Sequence, residues 1–250
     1  MENKTILITG SSHGIGAGTA KHFGTLGYNV IVTYKNADKE AQGVVDFIKE
    51  KGQEAVTYKL DVTSEENVKD VFEKVSKQFG KLDVLVNNAA IDKLNPIETT
   101  SFDTWKEIVR TKIEGNFLCT KYALPLLKKA KSANIIVIMS ALGDHVDPED
   151  SAYSVGTAGT VAFAKAMALA LSKYGIRTNG VAPGQTKTNS EYWQTLDNPE
   201  KTWKDLAETN PMKRVTEPED VAKVIQMIVD DPTNYLNGNF IYVNGGGHLK

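Results

Sequence analysis

Short, nearly unbroken apolar runs alternate along this chain with longer stretches in which apolar residues recur every three to four positions. The first pattern fits strands buried on both faces, the second amphipathic helices. Strands are predicted at Lys4 to Thr9, Asn29 to Tyr34, Ala55 to Leu60, Val84 to Val86, Asn134 to Met139, Thr178 to Val181 and Phe240 to Val243. Helices are predicted near Ile15 to Leu26, Lys39 to Lys51, Glu65 to Phe79, Thr104 to Lys128, Ser154 to Lys173 and Pro218 to Val229. Strict strand and helix alternation with right-handed crossovers implies an α/β, three-layer, doubly wound Rossmann-type fold with a parallel sheet of about seven strands. No repeat, linker or low-complexity segment divides residues 1–250, so a single dinucleotide-binding domain is expected.

Composition narrows the function classes. With 29 basic against 31 acidic residues, a formal charge of −2 and no long basic run, nothing calls for nucleic acid or a membrane surface as partner. No apolar run reads as membrane-spanning, and the start lacks a signal-peptide pattern, so a cytoplasmic location is expected. Cys119 is the single cysteine, read as a buried apolar residue, and no metal-ligating cluster stands out.

The first strand runs into Thr9-Gly10-Ser11-Ser12-His13-Gly14-Ile15-Gly16. A glycine-rich turn between strand and helix lets a pyrophosphate reach backbone N–H groups at the helix N-terminus, where the dipole also favours anions. At the end of the second strand Thr33-Tyr34-Lys35 offers no carboxylate for a ribose 2′-hydroxyl. Further along stand Asp61-Val62, Asn87-Asn88-Ala89-Ala90, Ser140 followed thirteen residues later by Tyr153, and Pro183-Gly184-Gln185-Thr186-Lys187-Thr188.

The glycine spacing resembles that of the short-chain dehydrogenase/reductase family, nearest in pattern to 3-oxoacyl-thioester reductases, and the likeness runs from Thr5 to Gly247. The resemblance implies cofactor contacts from Gly10, Ser12, His13, Gly14, Ile15 and Gly16 on the turn. It implies others from Tyr34 and Lys35, from Asp61 and Val62 at the adenine, from Asn88 and Ala89, and from Pro183, Gly184, Thr186 and Thr188 beside the nicotinamide. Lys35, with His13, occupies a place where relatives that use NADP carry a basic residue, so NADP(H) is favoured over NAD(H). By the same resemblance Ser140 holds the substrate oxygen and Tyr153 exchanges its proton, 189–214 forms a lid over a small-molecule carbonyl substrate, and the chain assembles as a homotetramer or homodimer.

Two positions depart from the family pattern. The lysine expected four residues after the tyrosine is Thr157, which can hydrogen-bond a ribose hydroxyl but brings no charge. The asparagine expected seven residues after Trp105 is Lys112, on an inward stripe with Ile108, Val109 and Asn116. Lys112 either snorkels to solvent or points into the cofactor cleft, where it would replace the charge lost at Thr157. Because neutral tyrosine is already the proton donor for reduction, NADPH-linked reduction is expected to outrun alcohol oxidation at neutral pH. Asp144, His145, Asp147, Glu149 and Asp150 lie in a segment that by the same resemblance borders the substrate mouth; it reads either as a solvated polar loop or as one whose inward acid pairs with Lys112 or a cationic substrate group, with His145 as a proton shuttle. Two readings follow: an NADPH-dependent carbonyl reductase, or a catalytically weakened dinucleotide-binding homologue serving as a structural or regulatory subunit.

Overall fold

The computed structural model describes residues 3–249 except 92, 94, 95, 144, 145, 190–192 and 194–197. Strands β1 (Thr5–Ile8), β2 (Asn29–Tyr34), β3 (Ala55–Lys59), β4 (Val84–Asn87), β5 (Asn134–Ile138), β6 (Arg177–Pro183) and β7 (Phe240–Val243) form one sheet in the order β3-β2-β1-β4-β5-β6-β7. Every pairing is parallel, with β1 flanked by β2 and β4. The chain leaves β1 towards one edge and later returns beside it towards the other, so the crevice beyond the C-terminal ends of β1 and β4 is the switch point where such sheets bind ligands.

Helices α1 (Gly14–Thr25), α2 (Asp38–Glu50) and α7 (Pro218–Val229) cover one face, where Phe23, Ile48, Ile225 and Ile228 bury against Ile6, Ile8 and Val30. Helices α3 (Glu65–Phe79), α4 (Phe102–Leu127) and α5 (Ser151–Leu171) cover the other, with Val68, Phe72, Leu118 and Leu127 against Leu7, Leu85 and Ile135. Local chemistry sets several ends. Ser64 and Ser101 accept hydrogen bonds from the amides of Asn67 and Thr104, and Pro218 opens α7 behind a Glu217–Asp220 capping box. Cys119 is buried on α4, where desolvation pushes its thiol up to about 12, so it is inert at neutral pH.

Three details differ from the sequence reading. A helix α6 (Pro199–Thr209) lies within 189–214, where no helix is predicted, capped by Asn198 and with Pro199 in its first turn. Helix α5 begins at Ser151, not Ser154, so Tyr153 sits in its first turn. The expectation that no apolar run has membrane-spanning length is also corrected. Ser151–Tyr174 qualifies by length and mean hydropathy, 1.4. Here it is a covering helix packed on α4 and β6.

Arg177 in β6 donates to the carbonyls of Ile228, Val229 and Leu236, tying the end of α7 to the sheet. Asp231 beside it accepts from the amides of Leu236, Tyr235 and Thr233 and from the Thr233 hydroxyl. These bonds, led by the Leu236 amide, hold its carboxyl well below the usual carboxylate range. A depressed folded value contributes stability at pH above the unfolded value near 4, lost as pH falls towards the folded one. Asp231→Asn should therefore lower the melting temperature at pH 7, and the gap to wild type should narrow below about pH 4, which thermal unfolding across pH measures.

Candidate active site

The glycine-rich turn is built around close approach. Gly10 and Gly14 have φ of 62° and 57°, the left-handed region that suits glycine. A Cβ on Gly16 would stand 2.5 Å from the Gly10 carbonyl oxygen and 2.7 Å from Asn88 Nδ2. The turn is locked from below. Ser11 Oγ donates to the Ile8 carbonyl and accepts from the Thr33 amide, while Thr33 Oγ1 accepts from the Gly10 amide at 3.2 Å. From the β4 side, Asn88 Nδ2 donates to the carbonyls of Thr9 and Gly10 at 2.8 and 3.0 Å, and Thr9 Oγ1 accepts from the amides of Asn88 and Ala89. Besides Asn88, the structural work falls to Thr9, Ser11 and Thr33, which the sequence pattern did not name as contacts. Their signal was a hydroxyl next to each strand end.

Helix α1 begins at Gly14 with no acid in its first turn and no side-chain cap from His13. Its leading amides, which like those of any helix lack an intrahelical acceptor, also receive no side-chain cap from His13, and so offer donors to an anion. Exposed His13 instead pairs its Nδ1 with Ser12 Oγ at 2.9 Å. Thr188 lies alongside, its Cβ 3.5 Å from where a Gly14 Cβ would be, so the segment after β6 reaches back over the turn. That segment is anchored by the Thr186–Thr216 bridge and by Thr186 Oγ1 donating to the Gly184 carbonyl. Pro183 ends β6 opposite Val243, and a Cβ on Gly184 would come 2.6 Å from Asn244 Cβ. A cradle of this kind, with glycines where a Cβ would fill it, fits the pyrophosphate of a nicotinamide dinucleotide.

At the neighbouring strand ends Lys35 Nζ pairs with Asp61 at 3.1 Å, both partly exposed, and Tyr34 is half-buried. Burial pulls the Asp61 carboxyl upwards, but hydrogen bonds from the Thr63 side chain and amide and the Lys35 ammonium prevail and leave it below its usual value. Val62 is buried against Gly115, where a Cβ would meet Val62 Cγ2 at 2.7 Å. Ala90 is not among the described residues with positive φ, so its backbone does not call for glycine.

Lys112 does not snorkel. It is 2% exposed, and its Nζ stands over the Tyr153 ring at 4.2 Å from the centroid. On the stripe with it, Ile108 and Asn116 are buried, Trp105 and Val109 half-buried. Ser140 follows β5, and its Oγ accepts from the Leu142 amide at 3.3 Å as the chain turns through Ala141–Gly143. Thr157, expected to reach a ribose hydroxyl, has no accessible surface and its Oγ1 makes no hydrogen bond. Its methyl instead packs at the Gly143 turn, 3.1 Å from where a Cβ would lie. In this arrangement Thr157 offers the cleft nothing.

In the acidic loop, Asp144 and His145 lie outside the described residues. Asp147 Oδ1 accepts from the Glu149 amide, and Asp150 stands at the N-cap position of α5. Within 189–214, Trp193 and Trp203 are buried against each other, ring centroids 4.0 Å apart, while Met212 is exposed. Tyr192 lies outside the described residues. No cluster of His, Cys, Asp or Glu able to hold a metal occurs among the described residues.

The model of a family described as enoyl-(acyl carrier protein) reductase matches residues 10–248. A 3-oxoacyl-[acyl-carrier-protein] reductase of Staphylococcus epidermidis is 34% identical over 99% of this chain and 100% of its own. A 3beta-hydroxysteroid dehydrogenase of Eggerthella lenta is 30% identical over 98% of this chain and 94% of its own. The crystal structure of a levodione reductase superposes with a TM-score of 0.91 at 26% identity, covering 98% of each chain. With the glycine cradle at the switch point, these likenesses place the chain in the short-chain dehydrogenase/reductase family of nicotinamide-dependent oxidoreductases.

Proposed function

We propose that the chain is an NADPH-dependent reductase that converts a ketone or 3-oxoacyl thioester to the alcohol, with Ser140, Tyr153 and Lys112 as its catalytic residues. The observation that carries this reading is the ammonium of Lys112 over the Tyr153 ring at 4.2 Å. A nearby positive charge favours the ionised form of a phenol, and so stabilises the phenolate left once the proton is given away. The reduced nicotinamide, when bound, supplies the hydride. Ser140 Oγ holds the substrate oxygen, the Tyr153 hydroxyl donates the proton to it, and Lys112 restores the charge that Thr157 cannot provide. The relatives support carbonyl chemistry in common: their names refer to a 3-oxoacyl thioester, a 3β-hydroxysteroid and levodione.

NADPH is preferred because Lys35, with His13 on the glycine turn, offers a cation where a carboxylate would select NADH. Lys35→Ala should weaken NADPH binding by about 10- to 100-fold, as expected for a lost charge-assisted bond, and leave NADH nearly untouched. An equal loss for both cofactors would assign Lys35 to its Asp61 pair alone. Exposed Phe117 on α4 and Val155 and Leu169 on α5 favour assembly as a homotetramer or homodimer through those helices.

One observation favours a catalytically weakened, regulatory homologue: the buried, chargeless Thr157. The test of both is purified protein with NADPH against a panel of ketones and 3-oxoacyl thioesters. Turnover supports the reductase; tight NADPH binding without turnover across the panel supports the second reading.

A further inference from the structure

Gly156 sits in the interior of α5, where glycine is a poorer helix former than alanine and needs a reason. The reason lies on the facing helix. A Cβ at Gly156 would stand 3.0 Å from Lys112 Cδ, 3.4 Å from its Cβ and 3.7 Å from its Cγ. The aliphatic stem of Lys112 therefore lies across this glycine. One turn earlier on the same helix face is Tyr153, over whose ring the Lys112 ammonium rests.

We propose that Gly156 is a positioning residue for the proton-transfer site: by withholding a Cβ it gives the Lys112 stem a bed on α5, which sets the ammonium over Tyr153. The proposal rests on the reductase reading above, in which Lys112 supplies the charge. A methyl at 156 would press on the stem at Cδ, next to the end that carries the charge, where α5 and α4 already lie close: a Cβ on Gly159 would meet Ile113 Cδ1 of the same facing helix. Among the described residues, the segment entering α5 just ahead of Tyr153 also carries titratable groups. They are Asp147, whose Oδ1 accepts from the Glu149 amide, Glu149 itself and Asp150 at the N-cap. All three are unchanged in the variants below, so their influence cancels in comparison.

The experiment is a cycle of Gly156→Ala, Lys112→Ala and the double variant. Each is read by the ultraviolet ionisation midpoint of Tyr153, taken by difference from Tyr153→Phe, by kcat and KM for NADPH-linked reduction, and by thermal unfolding. Lys112→Ala should raise the midpoint. Gly156→Ala should raise it in the same direction and lower kcat by about tenfold or more with KM little changed, since the substrate-binding groups stay in place. In the Lys112→Ala background the same glycine change should move neither quantity.

Gly156→Ala that lowers the melting temperature but leaves midpoint and kcat at wild type would overturn the proposal, making Gly156 an ordinary packing glycine. A midpoint unmoved by Lys112→Ala would instead sink the underlying assignment of charge, and the proposal with it. Should Gly156→Ala not fold, the double variant decides. Removing the stem relieves the clash and restores folding if the bed is what the glycine provides, and failure of the pair as well refutes it.

Discussion

Tyr153→Phe should lower kcat for carbonyl reduction by about 10²- to 10⁴-fold, the usual worth of a positioned general acid, while NADPH affinity and melting temperature stay near wild type. The separation is expected because the substitution removes one oxygen and nothing else. The ring remains in the first turn of α5, half-buried, and can still take the Lys112 ammonium on its face. The pyrophosphate cradle lies at the start of α1, on a different element. Single-turnover reduction with saturating NADPH, alongside a cofactor titration, isolates the chemical step. More than a tenth of wild-type activity would mean that the proton comes from elsewhere. Loss of NADPH affinity in step with kcat would mean that the phenol serves binding.

The fold was legible because its elements are periodic and carry their own end signals. The bounds of β2, α3, α7 and β7 coincide with those expected, and α3 and α7 are also the helices with a Ser64 cap and a Pro218 start. Helix α6 was missed although Asn198-Pro199 announces it. Only Trp203 in it is buried, so the apolar period that reveals a helix is weak.

The site was legible to the extent that spacing carries it. Ser140, Tyr153 and the glycine turn have fixed distances along the chain, and Lys112 was recognisable as a misplaced charge on an inward stripe. What spacing could not hold was the meeting of α4 with α5. Nothing local distinguishes Gly156 from a helix glycine of no consequence until the stem of Lys112 is seen to cross it. Nor could a sequence tell that Thr157 turns its methyl to the Gly143 loop and presents no surface. Residues that act on one another across helices are set by packing, and packing is a property of the assembled sheet and its two layers.

The glycines of the cofactor turn differ in what they are for, and this yields a second large effect. Gly16→Ala would place a Cβ 2.5 Å from the Gly10 carbonyl oxygen, 2.7 Å from Asn88 Nδ2 and 2.8 Å from Ser11 Cα. Two of these are backbone, and the third is an amide already held by the carbonyls of Thr9 and Gly10. None is a flexible chain end, so the turn itself must shift and its amides lose their aim. If two charge-assisted hydrogen bonds to the cofactor phosphates are forfeited, at roughly 1.5–3 kcal/mol each, NADPH affinity falls by about 10²- to 10⁴-fold. Gly14→Ala meets no such wall, its Cβ finding only Thr188 at 3.5 Å, but it must adopt φ near 57°. Left-handed backbone costs a non-glycine residue about 1–2 kcal/mol, which is paid mainly in stability. Fluorescence titration with NADPH, run beside thermal unfolding, should therefore show Gly16→Ala as chiefly a binding defect and Gly14→Ala as chiefly a folding defect. The reverse order would mean that the turn depends on backbone freedom at Gly14 more than on the closeness of α1 to Gly10.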